Sequence, residues 1–140
     1  MLAARLPYAA LALVCAVLGI YLGAASGDEG RLRQADADLR AGREADALEE
    51  LSGLKGETAQ RAQTVRGYAH LARGELDPAR TALRAAVLRD PNNWVLQRDY
   101  AIVLLRLGER LGARERMGRA KALNPRMLLP PGFRDVRQGR

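Results

Sequence analysis

The chain has 140 residues, 28% of them charged and 4% aromatic, with a formal net charge of +7, one histidine and one cysteine. Beyond a short leading segment, this length holds one small domain rather than two. A single histidine, and a single cysteine inside an apolar run, exclude a multi-histidine metal site and a Cys/His nucleophile pair in the soluble part. They also leave no disulfide pattern from which to read a redox compartment.

Residues 1–27 form the first segment. From Leu6 to Ala25 no side chain is charged, and Leu11, Leu13, Val14, Val17, Leu18, Ile20 and Leu22 dominate the run. About 20 such residues span a bilayer as a helix, so residues 6–25 are read as a membrane anchor. The alternative is a secretory signal peptide, with Arg5 as its positive start and Gly23, Ala24, Ala25 and Ser26 as a cleavage site. The run exceeds the roughly 7–15 apolar residues of a signal core, which favours the anchor. Cys15 follows the bulky Val14 and reads as a buried apolar cysteine rather than a lipid attachment point. A strict count of flanking cations, Arg5 against Arg31, Arg33, Arg40 and Arg43, places the downstream chain in the cytoplasm. An apolar segment so close to the amino terminus commonly exports the chain behind it, and we weigh this more heavily: a single-pass protein with an extracytoplasmic domain.

Residues 28–125 carry an internal repeat of 34 residues. Gly74 recurs as Gly108, Ala79 as Ala113, Leu83 as Met117, Ala86 as Ala120 and Pro91 as Pro125. A fixed period of this length marks stacked helical hairpins, because each unit is too small to bury its own apolar face. Asp77-Pro78 reads as an N-cap with proline at the first helical position, and Gly74 and Gly108 suit the left-handed residue that ends a helix. The alanines recur on one helical face, letting antiparallel helices approach while Leu71, Leu83, Leu104 and Met117 interlock. Aligning Gly42 with Gly74 uncovers a first unit in which Ala35, Leu39, Ala47 and Leu51 match Gly67, Leu71, Ala79 and Leu83. Its loop around Lys55-Gly56 is about two residues shorter and its closing proline is missing, as befits a terminal repeat.

These positions, with Tyr68-Ala69, Asp90-Pro91-Asn92-Asn93, Trp94, Tyr100, Ala101 and Leu123-Asn124-Pro125, resemble the tetratricopeptide repeat family over roughly residues 28–125. Gln63 and His70 stand where that family prefers aromatic residues, and Ala101 replaces its first-helix glycine, which implies a looser contact there. The resemblance implies an all-α fold: an N-terminal transmembrane helix followed by a three-hairpin, right-handed α-solenoid with one continuous apolar interior. It also implies that the first helix of each hairpin lines a concave wall. On that wall the resemblance places Asp36, Leu39 and Arg40, then Arg61, Thr64, Tyr68 and Leu71, then Val95, Arg98, Asp99, Ile102, Leu105 and Arg106. Of these, Arg61, Thr64, Tyr68, Arg98, Asp99, Ile102 and Arg106 are the candidate partner-binding residues. Members that grip a chaperone's carboxylate tail use paired lysines and asparagines on this wall. Leu32, Asp36, Val65, Val95 and Asp99 stand at the matching places, so that clamp is absent.

Charge is unevenly placed: −4 over residues 28–59, +3 over 60–93 and +7 over 94–140, with Arg110, Arg114, Arg116, Arg119 and Lys121 crowding the last helix. Such a field could attract an anionic polymer or lipid head groups; a solvated basic face is the plainer reading. Nucleic acid is disfavoured, because only Trp94, Tyr100 and Phe133 could stack bases and no recognised motif accompanies the charge. His70 falls at an inter-helix packing position and reads as a hydrogen-bonded core histidine. No cofactor, metal or small-molecule substrate is called for. The expectation is a non-enzymatic, membrane-anchored scaffold that docks a protein or peptide partner, as a cell-envelope assembly would use. A secreted module released by signal cleavage and a basic polymer-binding domain are the alternatives.

Residues 126–140 form the tail. Paired Pro130 and Pro131 block a regular helix. Because the last hairpin has no neighbour, Leu128, Leu129 and Phe133 are expected to fold back as its cover, with Arg134 to Arg140 trailing beyond.

Overall fold

The computed structural model describes residues 27–133. The anchor assigned to residues 6–25 and the trailing residues 134–140 lie outside the described residues. Among the described residues all regular structure is helical, as expected. None of these helices is long and apolar enough to cross a membrane. Residues 27–40 are helical (α1). They are followed by α2 (Glu44–Leu51), α3 (Gly56–Arg61), α4 (Gln63–Ala72), α5 (Leu76–Arg89), α6 (Trp94–Arg106) and α7 (Arg110–Leu123). Helix α2 packs on α4, α4 on α5, α5 on α6 and α6 on α7.

One turn is used three times. Gly42, Gly74 and Gly108 adopt φ of 73°, 76° and 82°, the left-handed region that glycine enters without a Cβ penalty. At each, the glycine N–H bonds to the carbonyl three residues back, and the next N–H reaches five residues back: Arg43 to Asp38, Glu75 to His70, Glu109 to Leu104. These paired bonds satisfy the last carbonyls of the helix while the chain reverses. The degenerate first unit therefore turns as the other two do.

The reversal also corrects the expected cap. Because Glu75 is already bonded back into α4, the next helix starts at Leu76, and Asp77 and Pro78 sit within its first turn. Proline is tolerated there because N–H groups of the first turn have no intrahelical acceptor. Glu75, at the cap position, makes no side-chain cap bond. Helix α6 does have one: Asn93 Oδ1 accepts from the N–H groups of Val95 and Leu96, at 3.1 and 3.3 Å.

The first unit is abbreviated. Helix α2 has 8 residues where α5 and α7 have 14, ending at Ser52-Gly53 before the chain restarts at Gly56. The first helix of the second unit comes in two pieces, α3 and α4, joined at the buried Ala62.

The interior is not continuous, against expectation. One cluster joins α5, α6, α7 and the tail through Leu83, Val87, Tyr100, Leu104, Met117 and Phe133. A second joins α1, α2 and the segment after it through Leu32, Ala35, Ala47, Leu51, Leu54 and Ala62. The division follows from α4, which presents Arg66 and His70 where α6 presents Tyr100 and Leu104. Polar groups at a junction keep water or hydrogen-bond partners and cannot weld two apolar clusters.

The tail covers the last pair as expected, with one exchange. Phe133 is 1% exposed, Met127 is buried and Leu129 packs on the same cluster, whereas Leu128 is 90% exposed. The turn decides this. Met127 N–H bonds to Asn124 O and Lys121 Nζ donates to Met127 O at 2.8 Å, turning Met127 inward and its neighbour outward.

Candidate partner-binding wall

The candidate residues divide into those that hold one another and those that face outward. Tyr68, on α4, donates its hydroxyl to Asp99 Oδ2 on α6 at 2.7 Å. Arg98 Nε donates to Asp99 Oδ1 at 2.7 Å, and its guanidinium lies 5.3 Å from the centroid of the Trp94 ring. Trp94, Arg98, Asp99 and Tyr68 thus form one chain of contacts bridging two first helices. Burial, and then the bond to Asp99, hold the Tyr68 phenol above its ordinary pKa. The Asp99 carboxylate raises that of Arg98. Both groups keep their ordinary protonation at neutral pH.

Both Asp99 oxygens are spent inside the fold, and this residue serves as a buttress. Arg61 is similarly engaged: it pairs with Glu29 on α1, whose carboxylate also accepts from Thr58 Oγ1 at 3.3 Å. What remains open is Thr64 and Ile102, both half-buried, and Arg106, which is exposed. With them stand the half-buried Tyr68, Leu71, Trp94 and Leu105, each resting on the core below. The wall is closed at its far end, where Gly132 approaches Leu105 so nearly that a Cβ there would stand 2.9 Å from Leu105 Cδ2.

Two contributors escaped the sequence reading. Trp94 lies four residues before Arg98 on one helix, so an aromatic and a cation on the same face were available as a signal. Glu29 and Arg61 occupy equivalent positions of the first and second units once the shorter loop is allowed for, and their opposite charges at one register predict a contact.

A second feature lies off the wall. An open depression of about 520 Å³ is lined by Gln63, Arg66, His70, Asp77, Pro78, Thr81 and Ala82. His70 is half-buried, with Nδ1 2.6 Å from Glu75 Oε2. It is hydrogen-bonded, as expected, but sits at the edge of a polar seam and not in the core. That bond, with a second from Arg73, holds the Glu75 carboxyl below its ordinary pKa. Arg66 crosses the seam and donates to Leu51 O at 2.9 Å, capping the end of α2. Among the described residues, no group of three or more His, Cys, Asp or Glu side chains is placed to hold a metal ion.

No family model matches the chain, and neither the curated proteins nor the solved structures contain a match.

Proposed function

We propose that the protein is a membrane-held docking module: a three-hairpin, right-handed α-solenoid of the tetratricopeptide type, tethered through residues 6–25. Its task is to hold an extended or helical segment of a partner protein on the wall formed by α1, α4 and α6. The observation that carries this reading is the row of half-covered Tyr68, Leu71, Trp94, Ile102 and Leu105 beside the exposed cation Arg106. Large apolar side chains already dry on one side gain by losing the water on the other, and the flanking Arg106 guanidinium orients the incoming segment. The locked bridge of Tyr68, Asp99 and Arg98 supports the reading further, since preset side chains lose little freedom on binding. Three identical turns at Gly42, Gly74 and Gly108 support the repeat assignment.

Photocrosslinking in native membranes tests it. Crosslinkers at Thr64, Ile102 and Arg106 are expected to capture one shared product, which control positions Glu49 and Arg84, exposed on α2 and α5, do not. Equal labelling at all five positions, or labelling confined to the controls, overturns the reading. Mass spectrometry of the mature protein tests the tether: retention of Met1 to Ser26 supports an anchor, and their loss supports a secreted module.

A further inference from the structure

Four large apolar side chains are exposed among the described residues: Leu88, Leu111, Leu123 and Leu128. Three of the four fall within residues 110–128, the stretch where basic residues outnumber acidic ones most heavily, with Glu115 the sole acid. Leu111 is 84% exposed and Leu128 90%. Soluble surfaces scatter such residues singly, but here they coincide with the charge.

The arrangement around α7 separates structural cations from outward ones. Arg116 lies over the Tyr100 ring, 5.7 Å from its centroid, and Lys121 is bonded to the tail. Arg110, Arg114, Arg119 and Arg126 are exposed, and none of the ion pairs among the described residues uses them. Taking the helical rotation of about 100° per residue, Leu111, Glu115 and Ala122 share the middle of the outward face, with Arg114 on one flank, Arg119 on the other and Arg110 at the start of the helix. An exposed leucine between long cations suits a lipid interface, where arginines reach sideways to phosphates, and the one carboxylate on this face, Glu115, is outnumbered by Arg110, Arg114, Arg119 and Arg126.

We infer that α7 and the start of the tail form a docking face for an anionic phospholipid surface, so that the repeat domain lies against the bilayer by its C-terminal end. Charge complementarity selects this occupant. The net −4 of residues 28–59 sits beside the segment read as the tether, and the positive surplus sits in the last unit. An anionic surface repels the first and attracts the second, which tips the domain down onto the membrane. Exposed leucines argue against a purely ionic partner such as a polyanion, which has no use for them. The inference rests on the membrane reading of residues 6–25 only for keeping lipid within reach.

The test uses the full chain in lipid nanodiscs, with Cys15→Ser and an environment-sensitive dye at Ala122→Cys, which leaves Leu111 and every arginine in place. In discs containing phosphatidylglycerol, the dye is expected to shift to the blue and to lose quenching by aqueous iodide several-fold. Both effects should disappear in phosphatidylcholine discs and at high salt. Neutralising Arg110, Arg114 and Arg119 to glutamine should abolish the shift with the helical circular dichroism unchanged, while a dye at Glu49→Cys stays in water throughout. Identical emission in the two lipids overturns the inference. So does a shift that needs an added polyanion or acidic protein, or one that survives the three substitutions. Carbonate extraction of native membranes reports separately on the tether: a chain that washes off while the Ala122 dye still responds to anionic lipid refutes the anchor and leaves the docking face standing.

Discussion

The two junctions between successive units are built on one plan with opposite materials. At the second junction, α6 offers Tyr100 and Leu104 to α5, and both are buried in the larger cluster. At the first, α4 offers Arg66 and His70 at the same register, and the result is a hydrogen bond to the end of α2 beside an open depression. The turns repeat the contrast. Asp38 faces Arg43 across the first turn and His70 faces Glu75 across the second, while Leu104 occupies that place at the third and Glu109 pairs instead with Arg80 of the preceding unit. Backbone geometry therefore tolerates a polar or an apolar seam equally, and the seam decides how tightly a unit is coupled to its neighbour. Hydrogen exchange should show α1 and α2 opening at lower free energy than α6 and α7. Equal protection in the two regions would remove the distinction.

The largest expected effect is at the well-coupled end. Phe133→Ala removes the biggest fully buried side chain and is expected to cost about 3 kcal/mol. It should bring the exchange protection of α6 and α7 down towards that of the first unit, and an unaltered melting curve would deny the tail its covering role. Next comes the close approach within the second unit, where a Cβ on Gly67 would lie 2.7 Å from Leu83 Cγ and 3.3 Å from Leu83 N. Gly67→Ala should cost about 2 kcal/mol by overpacking. The third unit carries Ala101 opposite the flexible Met117 at this register, and both are fully buried, so the looseness expected of Ala101 does not reach solvent. Adding Leu83→Met should therefore recover part of the loss in thermal denaturation.

Arg66→Ala sharpens the comparison from the other side. Losing the bond to Leu51 O should cost about 1 kcal/mol and speed exchange in α1 and α2 while leaving α6 and α7 unchanged. Acid should act on the same unit. Asp38 is buried, and its hydrogen bonds from Arg43 and Gln34 hold its carboxyl below the ordinary range despite burial, which acts in the opposite sense. A group with a lowered folded-state pKa contributes stability above its ordinary value and loses it as pH falls through the folded one. The first unit should thus loosen on acidification, and Asp38→Asn should flatten that dependence when exchange is followed down the pH scale. The smallest change is favourable: Gly118→Ala, in open space within α7, should stabilise by about 0.5–1 kcal/mol.

Helices, the three glycine turns and the burial of Phe133 were legible from residue spacing, because each depends on contacts within a few residues or on an end that has no neighbour to cover it. Other features were settled only by three-dimensional placement. Asp99 and Arg61 read as residues for a partner, but they are held by Tyr68 and Glu29, which lie 31 and 32 residues away in the chain. The split of the core depends on which side chains α4 turns towards α2, and Met127 replaces Leu128 because one turn sets which of two adjacent apolar residues points inward. By itself the sequence determined where the chain is helical and where it reverses, since propensity and the hydrogen bonds of a turn are local. Tertiary structure alone decided which charges are consumed internally and which remain open to solvent, since that depends on distances between helices that no local pattern encodes.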